Sequence, residues 1–347
     1  MNRPYVIPIF IPHLGCPHQC VYCNQNTITG VKSHIDLAKI KAEINFFLTR
    51  KRHPKRQEVQ IAFYGGSFTA LQSDLRKSLL DLAYTYVKKG LVDLIRLSTR
   101  PDAIDEERLK ELKAYGVQII ELGVQSLDDQ VLALAKRGHT AKDVYQASRL
   151  IKKMGFSLGW QLMPGLPGET KASLQKTIEA VVHWQPDFVR IYPTLVIKGT
   201  VLARWWKEGR YKPLSLEKAI EICKDMFICF ETAGIKVIRM GLQPTQSLLT
   251  PGHILAGPWH PAFGELVKGA IYLEKIKDIL RTHFSGSKKI CIYVSPAMVS
   301  QIVGQKRCNL LALKRLFPDQ RIALTPDLML KKGKIKIKDE TKSLIFD

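Results

Sequence analysis

Three cysteines crowd one short stretch near the start of the chain, "GCPHQCVYCNQ", as Cys16, Cys20 and Cys23. Thiolates are soft donors that suit zinc or iron-sulfur clusters, and short spacing on a loop lets several sulfurs face one centre. Three ligands are one short of a closed structural zinc site, which His13 or His18 could complete. The alternative is a [4Fe-4S] cluster with one iron left open to an exchangeable ligand. The remaining four cysteines, Cys223, Cys229, Cys291 and Cys308, lie in apolar or helical stretches without ligand spacing and read as buried free thiols. An odd total of seven argues against a disulfide framework.

The elements that would position this trio follow from hydrophobic patterning. Apolar, β-rich runs alternate with helical periodicity up to about Met240. The expected strands are "YVIPIFIPH", "EVQIAFYGG", "LIRLSTR", "QIIELGV", "FSLGWQLM", "FVRIYPTLV" and "IKVIRM". Helices are expected over Asp74 to Lys89, Asp105 to Tyr115, Ala141 to Met154 and Lys171 to Trp184, with Asp74 and Asp105 near the N-caps. Such repetition predicts an α/β fold, a full or partial (β/α) barrel. The polar motifs "GGSF", "STRPD", "GVQS", "MPGLPGE" and "YPTL" fall at strand exits, where such barrels gather functional groups. Arg100, Gln125 and Arg137 are not needed to make turns, which points to a converging ligand site.

The cadence breaks after Met240 at a glycine- and proline-rich stretch. We therefore expect a barrel domain over 1–245 and a small α+β domain over 246–347. The second domain reads as helix, strand "KKICIYV", helix, turn "GQKR", helix, then strands "QRIALT" and "GKIKIK". Its core has the element order of a KH module, whose GxxG turn clamps a nucleic-acid backbone. Arg307 stands at the second glycine position and enters left-handed angles less cheaply than glycine, so a small packing cap is the competing reading. The alternating lysines of "KGKIKIK" suggest a solvated edge strand.

At 347 residues and 46% hydrophobic composition the chain can bury a large core. No apolar run approaches the length needed to span a bilayer, and no cleavage site follows the short apolar start, so a cytoplasmic protein is expected. The formal charge of +22 favours a polyanion such as RNA, although a membrane surface or an acidic protein would also satisfy it. Arg50 to Arg56 and Lys331 to Lys338 are the basic stretches that could meet phosphates.

The pattern C-x3-C-x-aromatic-C, with Tyr22 at the aromatic position, followed by "GGSF" after the second strand, resembles the signature of radical SAM enzymes. "FYGGSFTAL", "STRPD", "ELGVQSLDDQVLALAKRGHT", "MPGLPGE" and "IYPTLVIKGTVLARWWKEGRYKPLS" are similar to the radical SAM half of the Elongator catalytic subunit, over most of residues 5 to 245. That resemblance implies a [4Fe-4S] cluster, S-adenosyl-L-methionine, an external one-electron donor such as a flavodoxin or ferredoxin, and tRNA as substrate. From Gly257 onward "GPWHPAFGELV" instead resembles the C-terminal domain of shorter Elongator-like proteins, so the acyl-transfer half of the chemistry is not expected to carry over.

By the same resemblance Cys16, Cys20 and Cys23 would ligate three irons, and the carbonyls of Gly65 and Gly66 would accept from the cofactor's amino group. Ser67 stands where many members have glutamate. Similarity to oxygen-independent coproporphyrinogen oxidases implies cofactor contacts from Ser98, Gln125, Arg137 and Gln161. Ser98 and Gln161 replace acids expected to grip the ribose. Arg137 suits a carboxylate because its planar fork donates two bonds at once. Two alternatives stay open: the same radical chemistry on a tetrapyrrole or other small metabolite, and a non-catalytic RNA-binding protein clipped by zinc.

Overall fold

The structure, a computed structural model, describes residues 4–30, 35–50, 57–331 and 333–346. Most of the basic stretch from Arg50 to Arg56, and Lys332 of the second, lie outside the described residues.

Seven strands form one parallel sheet: β1 (Tyr5–Ile11), β2 (Val59–Gly65), β3 (Leu94–Thr99), β4 (Val117–Gln125), β5 (Ser157–Leu162), β6 (Phe188–Ile191) and, after the short β7 (Val196–Ile197), β8 (Lys236–Met240). Their order in space is β1-β2-β3-β4-β5-β6-β8. Parallel strands covered on both faces need near-continuous apolar runs, and β3 is buried at every position. The helices between them start where the sequence offers a side-chain acceptor. Asp105 caps Glu106–Ala114, and Thr140 and Thr170 close capping boxes on Ala141–Lys153 and Lys171–Trp184. Asp74 is not a cap: it sits in the first turn of Ser73–Lys88, whose N-cap Gln72 makes no side-chain bond.

Successive side chains alternate between two unlike faces. Ile95, Leu97, Ile120, Leu122, Leu158, Trp160, Val189 and Ile191 are fully buried on the helix side, where Trp160 donates its indole N–H to Ser148 at 3.0 Å. The opposite face carries Arg96, Ser98, Glu121, Gln161 and Arg190, which bond to one another across strands. On that face Arg190 of β6 donates to the Tyr64 hydroxyl of β2 at 3.0 Å. Three strands intervene, four spacings of about 4.8 Å each, more than two side chains can bridge on a flat sheet, so the sheet curls into a trough with its polar face inside. Among the described residues β1 pairs only with β2 and β8 only with β6, so the ring stays open and the barrel is partial.

The run "FVRIYPTLV" is not one strand. β6 stops at Ile191, close before Pro193, and the chain resumes as β7, antiparallel to β9 (Ile254–Ala256).

The chain forms two compact units, Met1–Ala219 with Met226–Pro261, and Ile220–Asp225 with Ala262–Asp347. The second unit holds the helix Phe263–His283 and a sheet of β10 (Lys289–Val294), β11 (Arg321–Pro326), β12 (Ile335–Lys338) and β13 (Ser343–Phe346), ordered β11-β10-β12-β13. β12 is therefore internal and not the edge its lysines suggested. Ile335 and Ile337 are fully buried beside Ile290, Ile292 and Val294, and β13 takes the edge. The "GQKR" turn places both Lys306 and Arg307 in left-handed angles, φ 49° and 65°, so the arginine does not prevent it. Cys308 is exposed and Cys229 and Cys291 are half-buried; of the four scattered thiols only Cys223 is buried. Among the described residues no helix is long and apolar enough to cross a membrane.

Candidate active site

The loop that leaves β1 carries the three cysteines, and backbone bonds fix its path. Gly66 N–H donates to Ile11 O at 3.0 Å and Ser67 N–H to Leu14 O at 2.9 Å, which ties it to the "GGSF" turn. Further on, Val21 N–H reaches Ala135 O at 3.1 Å and Val21 O accepts from Leu202 N–H at 2.8 Å. The contact with the turn leaves no room for side chains. A Cβ on Gly66 would lie 2.6 Å from Ile11 O and closer still to Leu14 O, and one on Gly15 would strike Ser67 O. Gly15 also needs its φ of 70°.

Gln25, which sequence reasoning did not single out, latches this loop. Its backbone N–H donates to His13 Nε2 at 2.9 Å, its Oε1 accepts from His13 N–H, and its Nε2 donates to Gly65 O at 2.6 Å. The Gly65 carbonyl expected to serve the cofactor is thus already used once and keeps a second lone pair.

The three thiols face a common region. Cys16 and Cys23 line a cavity of about 470 Å³ with His13, His18, Gln19 and Asn24. Burial, followed by its neighbours Cys20 and Cys16, pushes the Cys23 thiol up to about 12, and burial with Cys20 raises Cys16. Arg137 donates to Cys20 Sγ at 3.2 Å and to Gly123 O at 2.6 Å. A single zinc draws its sulfurs to about 2.3 Å from one point. Among the described residues no three His, Cys, Asp or Glu side chains converge in that way. His13 is engaged with Gln25 and His18 lies against Gly138. An iron-sulfur cluster instead spreads its thiolate anchors over separate irons, a donor set that three mutually interacting thiols fit.

The other expected site residues divide into three groups. Gln125, at the end of β4 with φ 68°, and Arg137 converge over Gly123, where a Cβ would come within 3.1 Å and 3.2 Å of their side chains. Among the described residues Gln125 Oε1 and Arg137 Nε are both buried without a hydrogen-bond partner, which leaves an unmet acceptor and an unmet donor beside the cysteines, as a polar ligand would require. Ser98 and Gln161 form the second group. Gln161 Nε2 donates to Ser98 Oγ and to Glu121 Oε2, both at 3.0 Å. A carboxylate only accepts, so the amide nitrogen must face Glu121 and Gln161 Oε1 is left as an acceptor toward the trough. The third group is Ser67 alone, fully buried, with its hydroxyl 3.1 Å from that of Thr99 and 3.4 Å from Arg100 N–H, turned into the packing between β2 and β3.

Arg100 belongs to the support. It forks onto Asp102 at 2.9 and 3.0 Å and donates to Arg137 O, fixing the segment that carries Arg137. Glu121 was also unforeseen. It is fully buried, ion-paired to Arg96 and 2.7 Å from Arg190 Nε, whose angle gives no hydrogen bond, while Arg190 Nη2 donates to Glu121 Oε1 at 3.2 Å. Burial pushes its carboxyl up, but Arg190 and Arg96 outweigh that and hold it below the usual range.

In the "MPGLPGE" loop, Glu169 accepts from Gly165 N–H at 2.8 Å and Tyr211 donates to Gly165 O at 2.6 Å. Burial pushes the Glu169 carboxyl up to about 7 from 4.5. Its stabilising contribution is complete below the unfolded value and is lost as pH rises through about 7. Glu169→Gln is expected to melt close to wild type near the lower value and higher than wild type at alkaline pH, by on the order of 2–3 kcal/mol. Equal melting across that range would show that the carboxyl is hydrated.

These features, a thiol trio after the first strand of an open parallel barrel and polar residues at the following strand ends, coincide with family-level matches. The radical SAM superfamily model matches residues 10–181 and that of the Radical_SAM C-terminal domain residues 186–272. The chain belongs to the radical SAM superfamily, a class of enzymes. Among its relatives, the tRNA uridine(34) acetyltransferase of Methanocaldococcus infernus is 30% identical over 62% of this chain and 48% of the relative. Human Elongator complex protein 3 is 30% identical over 61% and 46%. The solved archaeal Methanocaldococcus infernus Elp3, with its N-terminus deleted, superposes with a TM-score of 0.62 at 26% identity, covering 80% of this chain and 64% of that one. The chain spans about half the length of these curated relatives.

Proposed function

We propose that this chain is an RNA-modifying radical SAM enzyme whose substrate is tRNA. When bound, a [4Fe-4S] cluster with an open iron and S-adenosyl-L-methionine would supply reductive cleavage of the cofactor and the hydrogen abstraction that follows, with the electron coming from an external flavodoxin- or ferredoxin-like donor. Cys16, Cys20 and Cys23 would hold the cluster. The Arg137 fork and Gln125 would take the cofactor's methionine end, Gly65 and Gly66 would offer it carbonyls, and Gln161 Oε1, oriented by Ser98 and Glu121, would accept from a ribose hydroxyl in place of an acid. Ser67 would act through Thr99 and Arg100 to shape the turn. The trough walls would keep water from the reacting centre.

The observation that carries this reading is the meeting of three interacting thiols with Arg137 at the mouth of an open parallel barrel. The tRNA assignment is supported by the similarity to tRNA uridine(34) acetyltransferases and by the formal charge of +22. Anaerobic reconstitution is expected to give brown protein with about four irons and four sulfides per chain that cleaves S-adenosyl-L-methionine under reduction. Incubation with total tRNA is expected to yield a mass-shifted nucleoside, absent with Cys20→Ala. Colourless, cleavage-inactive protein would overturn the cofactor reading. Normal cleavage with unchanged nucleosides and salt-independent tRNA binding would overturn the substrate.

A further inference from the structure

Deeper in the trough than the cysteine loop, a second constellation has no part in the arrangement above. Strand register sets Arg190 of β6 beside Gln161 of β5 on one side and beside Arg239 of β8 on the other. Arg190 is held from three sides: it pairs with Glu121 and donates to it, to Tyr64 at 3.0 Å and to Tyr192 at 3.5 Å, while its Nε makes no hydrogen bond among the described residues. Each phenol is therefore an acceptor toward Arg190, and its own O–H remains to be given. Among the described residues no acceptor takes either proton. Burial, with Glu121 next, pushes the Tyr64 phenol up to about 12, so that proton stays in place at neutral pH.

Arg239 completes the set. Its Nε donates to Gly241 O at 3.0 Å, and both terminal nitrogens have no partner among the described residues. The groups that act on it are Tyr192, Arg190 and Tyr64, with no carboxylate among them, and burial lowers its hold on its proton. Three guanidiniums, Arg96, Arg190 and Arg239, thus share this face with the single buried carboxylate of Glu121. A half-buried cation without a counter-charge is unfavourable, and it lies beside two hydroxyls whose protons are still to be given.

What Arg239, Tyr64 and Tyr192 have left to offer here is N–H and O–H donors. The geometry points to an oxyanion subsite in the trough, in which Arg239, Tyr64 and Tyr192 bind the carboxylate or phosphate of a small co-substrate and Arg190, locked by Glu121, holds the two phenols in place. A guanidinium fork matches either anion with two bonds. Because Arg190 neighbours Gln161, the bound molecule would lie next to the residue assigned to the cofactor's ribose. In that placement the inference rests on the proposed function; the anion site itself does not.

The test uses the purified full chain without added iron or cofactor, titrated calorimetrically with orthophosphate and, separately, with acetate. Saturable binding of at least one anion is expected, weakened at least tenfold, about 1.4 kcal/mol, in Arg239→Gln and partly restored in Arg239→Lys. Tyr64→Phe is expected to weaken it several-fold, and replacement of the exposed Arg149 by glutamine to leave it unchanged. Circular dichroism checks that each variant is folded. Phosphate binding would mark a phosphorylated co-substrate and acetate binding a carboxylic acid. Wild-type affinity in Arg239→Gln, or no saturable binding of either anion to wild type, overturns the inference. Failure of cluster reconstitution would leave these titrations intact, and loss of anion binding would leave cofactor cleavage intact, so the two ideas fail separately.

Discussion

Glu121→Ala is expected to lose about 3–5 kcal/mol of stability, the range for breaking a buried ion pair by removing one partner. The carboxylate is fully buried between Arg96 and Arg190, and it also receives the Gln161 amide. Removing it leaves one fully buried and one half-buried guanidinium without a counter-charge, and their mutual repulsion is unscreened. Glu121→Gln keeps the volume and one acceptor and should lose less. Urea unfolding reads the difference as a lower midpoint at unchanged slope. The alanine variant should also bind S-adenosyl-L-methionine more weakly, because Gln161 is then free to turn its NH2 toward the ribose. A loss below about 1 kcal/mol would mean that water enters the trough and solvates the arginines.

The second large effect is expected at Gly66. Its missing Cβ lets the turn after β2 lie against the backbone of the cysteine loop at Ile11 and Leu14, and neither neighbour is a side chain that could rotate away. Gly66→Ala must displace one loop relative to the other. Iron bound after anaerobic reconstitution should fall at least tenfold, since misplacing a ligand set even slightly forfeits most of its affinity. The parallel sheet should survive, with an unchanged far-ultraviolet dichroism spectrum. A variant that loads iron as wild type does would show that the loop tolerates the shift and that the glycine pair serves the cofactor alone.

The parallel strands and the cysteine trio were legible because both are written locally, as apolar runs and close spacing. The helix starts were legible near their acids: Asp105 is the cap itself, and Asp74 lies in the first turn, two residues after the N-cap Gln72. Glu121 was hidden inside "QIIELGV": its partners Arg96 and Arg190 stand 25 and 69 residues away in the chain, and only the curl of the sheet brings them together. Gln25 and Gly15 gave no signal because Gln25 meets His13 and the Gly65 carbonyl, and Gly15 the Ser67 carbonyl, contacts that no spacing rule marks. Arg239 had none either, since an arginine in a strand carries no spacing rule.

The edge assignment of β12 failed for a different reason. Alternating lysines describe the outward side of a strand equally well at an edge or inside a sheet, and the fully buried Ile335 and Ile337 were the better guide. Ser67 shows the converse limit. Its place in a motif is plain from sequence, but the direction of its hydroxyl, toward Thr99, depends on how two strand exits pack.

The reciprocal bonds between His13 and Gln25, with the third from Gln25 to Gly65, use only main-chain atoms, one imidazole and one amide. None involves sulfur or metal. The seat is therefore shaped before anything sits in it, unlike a zinc finger, which collapses when stripped. Oxygen damage or chelation should leave a folded vessel that can be recharged in place, so repair would call for fresh iron and sulfide rather than a new polypeptide.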